Sequence, residues 1–136
     1  MNPRVVAGAL GAVTVLMGLY GLASPAGVLD FVGFSPAVPT EPALAYGEAR
    51  ALYGGLFTVL GAFTLWGAID PPGKRAALLM AGLLWLGLCA GRLLSVSIDG
   101  NPGVMGWVAA VWEAAFGMAL VWSALAKLPI ANAEVQ

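Results

Sequence analysis

The chain has 136 residues, 60% of them hydrophobic and only 10% charged, with a formal net charge of −1. Soluble domains carry about 25% charged residues, so this surface suits a bilayer rather than water, and its charge balance offers no basic footprint for nucleic acid. Histidine is absent and Cys89 is the single cysteine. These counts exclude histidine-ligated haem, His-bearing zinc sites, Ser-His or Cys-His catalysis, an intrachain disulfide and a CxxC redox pair. No metal and no cofactor is expected, and Cys89, lying mid-span, reads as inert packing.

After the basic start at Arg4, residues 5–23 run without a charge, long enough to cross the hydrocarbon core. The stretch is longer than the usual core of a cleaved signal, so a retained span is expected. Gly11, Thr14, Gly18 and Gly21 fall on one helical stripe, where small residues allow close approach of a neighbour. Residues 24–42 form the longest connection, broken by Pro25, Pro36, Pro39 and Pro42. Within it Val28–Phe34 is too apolar for a free loop. It reads either as a short interfacial segment lying over the bundle like a lid, or as a loop whose aromatics anchor at headgroup level.

The second span, 43–69, carries Glu48 and Arg50 near its start. At about 100° per residue, Gly47, Arg50, Ala51, Gly54, Thr58 and Gly61 share a small, polar face expected to pack inward. Leu52, Leu56, Leu60 and Phe63 share a bulky face expected to meet lipid. A turn at Asp70–Arg75 leads to the third span, 76–98, which holds Arg92. Asp99-Gly100-Asn101-Pro102 is a helix stop and turn. The fourth span, 103–126, holds Glu113 on a stripe with Gly106, Ala110, Gly117 and Ala124. The expectation is an all-α integral membrane four-helix bundle, a single transmembrane domain over 1–136. The five tryptophans read mainly as span-end anchors or lipid-facing bulk.

Arg4, Lys74, Arg75 and Lys127 flank one side of the four spans, whereas the connections 24–42 and 99–102 contain no Lys or Arg. By the positive-inside rule both termini face the cytoplasm, and the proline-rich loop lies outside. Within the spans, Glu48, Arg50, Arg92 and Glu113 sum to zero charge. Each costs roughly 2.5–3.5 kcal/mol at a helix centre, so interhelical pairing is required. Helical side chains lean toward their own N-terminus, which aims Arg92 inward and Glu113 outward and favours an Arg92–Glu113 pair. Glu48 and Arg50 would complete the network higher up. Ser95 and Asp99, at i+3 and i+7 from Arg92, would extend a polar track to the outer surface.

Glu48-Ala49-Arg50-Ala51-Leu52-Tyr53-Gly54-Gly55 with Gly61, then Gly91-Arg92, Ser95 and Asp99-Gly100-Asn101-Pro102, resembles the small bacterial four-span proteins grouped as the domain of unknown function DUF4345. The likeness covers nearly the whole chain, including the proline-interrupted loop. It implies the fold, the topology and a bacterial inner (plasma) membrane location, and brings no established activity. The family resembles, more distantly, the DoxX-like four-helix membrane proteins, some of which are associated with quinone-linked oxidation.

Three functions fit these residues. The first is binding or carriage of a small amphipathic molecule, a lipid or quinone, in an outward-open cleft. There Arg50 and Arg92 would hold the headgroup, and Glu48 and Glu113 would orient them. The second is a structural or accessory subunit, in which the charged quartet only locks helix register and the small-residue faces bind a second copy or another membrane protein. The third is a membrane enzyme or proton-coupled transporter using Glu113, the least supported because no nucleophile–base pair accompanies it.

Overall fold

Local chemistry sets where the helices begin and end. Asn2 caps α1 (Pro3–Ala23): its Oδ1 accepts from the Arg4 amide at 2.9 Å, and Pro3 takes a first-turn position that needs no N–H. Pro25 opens the short α2 (Pro25–Phe31) after Ser24. The computed structural model describes residues 2–34, 42–70 and 73–126. Pro36, Pro39 and the Lys127 flank therefore lie outside the described residues, as does the part of the loop that would complete a lid. A second rod comprises α3 (Pro42–Ala49), a π-helical segment (Arg50–Leu56) and α4 (Phe57–Ile69). It is followed by α5 (Arg75–Asp99) and α6 (Gly103–Leu125). The turn between these last two uses Gly100 at φ +97° and Gly103 at φ +72°, a backbone region open mainly to glycine.

Among the described residues four helices are long and apolar enough to span a membrane, with 21, 27, 25 and 23 residues against the roughly 20 needed. Their outward faces carry exposed Leu16, Val59, Leu83 and Val111, which suit hydrocarbon. The chain is thus an all-helical, multi-pass membrane protein. α1 packs on the π segment and α4, α5 packs on α6, and contacts of α1 with α6 and of α4 with α5 close the ring.

Small residues set the spacing within each pair. The stripe Gly11, Thr14, Gly18 and Gly21 is buried. A Cβ added at Gly61 would lie 2.5 Å from the Val15 amide nitrogen and 2.8 Å from the Gly11 carbonyl. Across α5–α6 the contact is reciprocal: a Cβ at Gly82 would meet the Gly117 carbonyl at 2.9 Å, and one at Gly117 the Gly82 carbonyl at 2.9 Å. Lipid gives no hydrophobic drive to helix association, so this close backbone packing is what holds such pairs. Buried hydroxyls are satisfied within their own helices, as Thr14, Thr64 and Ser123 donate to the carbonyls four residues back at 2.8 Å.

Two side chains expected at lipid are in the core. Leu60 is 4% and Trp85 1% exposed, packed with Phe57, Leu78, Phe116 and Leu120. A single stripe underestimates the buried arc because the second rod touches two neighbours: its Gly54 and Gly61 meet α1 and its Gly67 meets α5, while Phe57 and Leu60 join the core cluster. The π segment adds to this, since buried Ala49 is followed by buried Gly54, five residues on. The upper part of the expected inward face, Gly47, Arg50 and Ala51, is exposed. Leu52, Leu56 and Phe63 are exposed as expected.

The core does not fill the bundle from end to end. In α5 the buried residues stop at Trp85, and in α6 they start at Ala110. Residues 86–99 and 103–109 contribute none. At the end carrying the 99–102 turn, α5 and α6 thus stand apart from the tight packing that holds the other end.

Candidate functional site

Arg92 and Glu113 meet where that packing runs out. Arg92 follows Trp85 by seven residues, two helical turns on the same face of α5. Glu113 precedes Phe116 by three on α6. The Trp85 and Phe116 rings touch at 5.1 Å between centroids, so an aromatic layer forms the floor under the charged pair. It continues on one side through Phe57, 5.2 Å from Trp85, to Tyr53. On the other side Trp112 stacks on Phe116 at 4.4 Å. The Trp85 indole N–H is buried and has no hydrogen-bond partner among the described residues.

The pair itself is asymmetric. The Arg92 Nε donates to both carboxylate oxygens of Glu113, at 2.8 and 2.9 Å. The Glu113 side chain is 5% exposed, that of Arg92 38%. Both oxygens of Glu113 thus share one N–H, and neither Nη of Arg92 hydrogen-bonds to any described residue. A guanidinium has five N–H donors, and the four on its two Nη atoms have no partner among the described residues. The carboxylate fixes the arginine through its Nε, at a level beyond the last buried residue of α5.

The other expected members of the network lie elsewhere. Arg50 donates through Nε to the Leu22 carbonyl at 3.3 Å, satisfying one of the orphan acceptors in the last turn of α1 and placing a cation at that helix's C-terminus. Glu48 is exposed. Among the described residues no ion pair or hydrogen bond links Glu48 or Arg50 to Arg92 or Glu113, so the expected quartet is a pair plus two separate residues. The physical reason is packing: α4, not the rod's upper half, is the part seated on α5. α2, with Val28 and Leu29 buried, packs on α1, α3 and the π segment. Ser95 donates to Asp99 Oδ2 at 2.6 Å, an exposed pair one turn beyond Arg92 and not bonded to it. Asn101 Oδ1 accepts from the Gly103 amide at 3.1 Å and from Trp107 Nε1 at 3.2 Å, fastening the turn to α6. No group of three metal-ligating side chains occurs among the described residues.

A family model described as a domain of unknown function, DUF4345, matches residues 3–124. The chain belongs to this family. No curated protein and no solved structure matches it. The matched region of the DUF4345 chain takes in all four long helices, the π segment and both members of the ion pair. The aromatic floor was the part of the site not anticipated from sequence. The signal was present in the spacings Trp85–Arg92 and Glu113–Phe116, which place each ring on the face of the charge above or below it.

Proposed function

We propose that this membrane protein binds a small amphipathic molecule at the 99–102 end of its bundle, with the polar end on Arg92 and the tail along the apolar sides of α5 and α6. The observation that supports this reading is the state of Arg92. It is fixed through one N–H by a buried carboxylate, is itself more than a third exposed, and carries four N–H donors with no partner among the described residues, beyond the last buried residue of α5. Ion pairs that serve only to lock helices engage their donors with the protein, because unsatisfied donors in hydrocarbon cost several kcal/mol each. Arg50, occupied at the Leu22 carbonyl, is left out of the headgroup site.

We take this end to be on the outer side and both termini in the cytoplasm, a reading that the positive-inside rule supports, and propose the inner membrane of a bacterial cell as the location. Native mass spectrometry of the protein released from mild detergent tests the binding. We expect a discrete added mass on the wild type that is lost in Arg92→Lys, which retains the charge but not the planar fork. A bare monomer in both would refute ligand retention. A bare oligomer would support the accessory-subunit reading instead.

A further inference from the structure

We infer that the polar end which Arg92 takes is an uncharged hydrogen-bond acceptor, a carbonyl, and not an anion; this rests on the binding reading above. The inference comes from the charge balance around the fork. Glu113 neutralises Arg92 at 2.8 Å. Between residues 76 and 126 the only basic residue is Arg92. Arg50 sits on the α1 side at the Leu22 carbonyl, while Lys74, over the Trp66 ring, and Arg75 lie at the opposite end of α5. An incoming anion would therefore meet a neutral pair, feel the Glu113 charge across the guanidinium, and leave the site with a net negative charge in a medium of low dielectric. It would also shed its own hydration without a second cation to replace it.

A carbonyl oxygen avoids both costs. It accepts from the free Nη donors, adds no charge, and is available on an ester-linked lipid or on a free apolar carbonyl compound. The exposed Leu93 and Leu94 follow Arg92 on α5, an apolar surface at the level where the remainder of either ligand would lie in hydrocarbon.

The test compares two probes on the wild-type protein in lipid nanodiscs: the methyl ester of a long-chain fatty acid, labelled with carbon-13 at the carbonyl, and the alkyl sulfonate of equal chain length, which stays charged. We expect the ester to bind at least about tenfold more tightly, roughly 1.4 kcal/mol, with its labelled carbonyl stretch lowered in frequency. Glu113→Gln leaves Arg92 as a lone cation and should reverse the order, so that the sulfonate binds more tightly. Tighter sulfonate binding by the wild type would overturn the carbonyl assignment while leaving the binding reading intact. Failure of both probes to bind would refute the binding reading and this inference with it. The wild-type comparison needs no variant to fold. A labelled diacyl lipid run beside the methyl ester separates the two carbonyl sources: displacement of the ester by the lipid identifies a bilayer lipid, its absence a free carbonyl compound.

Discussion

Removing Arg92 should harm the bundle more than removing the charge of Glu113. In Arg92→Met the Glu113 carboxylate, 5% exposed with both oxygens bonded to the Arg92 Nε, is left buried without a cation. Breaking a buried pair in this way costs about 3–5 kcal/mol. In Glu113→Gln the arginine is the survivor, and its position differs. It is already 38% exposed, and its Cα lies seven residues, or roughly 10 Å, from the end of α5. The aliphatic stem can carry the guanidinium toward the interface, and the glutamine carbonyl still offers one acceptor. The loss is then close to one charge-assisted hydrogen bond, about 1.5–3 kcal/mol. At the middle of the two ranges the variants should differ by about 2 kcal/mol, the arginine variant being the weaker. Titration from mild detergent into denaturing detergent, followed by far-UV circular dichroism, measures the difference. Equal loss in the two variants, or a greater loss for Glu113→Gln, would refute the unequal burial on which the reasoning depends.

Gly61→Val should destabilise by roughly 1–3 kcal/mol through overpacking, because the new side chain would meet the backbone of α1 at Val15 and Gly11; thermal unfolding in detergent checks this. Gly91→Ala, which meets nothing within 4 Å, should be neutral or stabilise by about 0.5–1 kcal/mol from helix propensity, so equal behaviour of the two glycines would contradict the packing described. Arg50→Ala should cost within about 1 kcal/mol, the value of one exposed hydrogen bond, and should leave the mass retained in native mass spectrometry unchanged. For topology, Asp99→Cys and Lys74→Cys in a Cys89→Ala background can be treated with an impermeant thiol reagent on intact cells. Labelling at 99 and protection at 74 is expected, and the opposite pattern would invert the proposed orientation.

Much of the architecture was legible from composition and period alone. In a bilayer a backbone must satisfy its own hydrogen bonds, so a run of about 20 apolar residues has helix as its only economical form, and four such runs mean four spans. The buried stripes of α1 and α6 followed for a related reason. Where lipid is as apolar as leucine, small residues mark the contacts; Gly11, Thr14, Gly18 and Gly21 on one helix and Ala110, Glu113, Gly117 and Ala124 on the other are buried as that argument requires, whereas Gly106, at the 99–102 end of the α6 stripe, is only partly buried. The Arg92–Glu113 pair was also within reach, since the lean of helical side chains and the depth of each residue along its helix bring those two to one level.

Tertiary structure decided the rest. Periodicity assigns a face to each helix but not the number of neighbours that cover it, which is why Leu60 and Trp85 turned from lipid to core. Nor does it register a π turn, which resets the phase midway along the second rod. Charge counting treated Glu48, Arg50, Arg92 and Glu113 as one balanced set, yet balance does not require contact. Arg50 found a helix-end carbonyl closer at hand, and Glu48 remained exposed. Above all, the gap in packing between residues 86 and 109 appears only when the four helices are assembled, because it depends on how far each pair of close-packed glycines reaches along its rods. That gap leaves the Arg92 side chain more than a third exposed while its partner Glu113 stays buried.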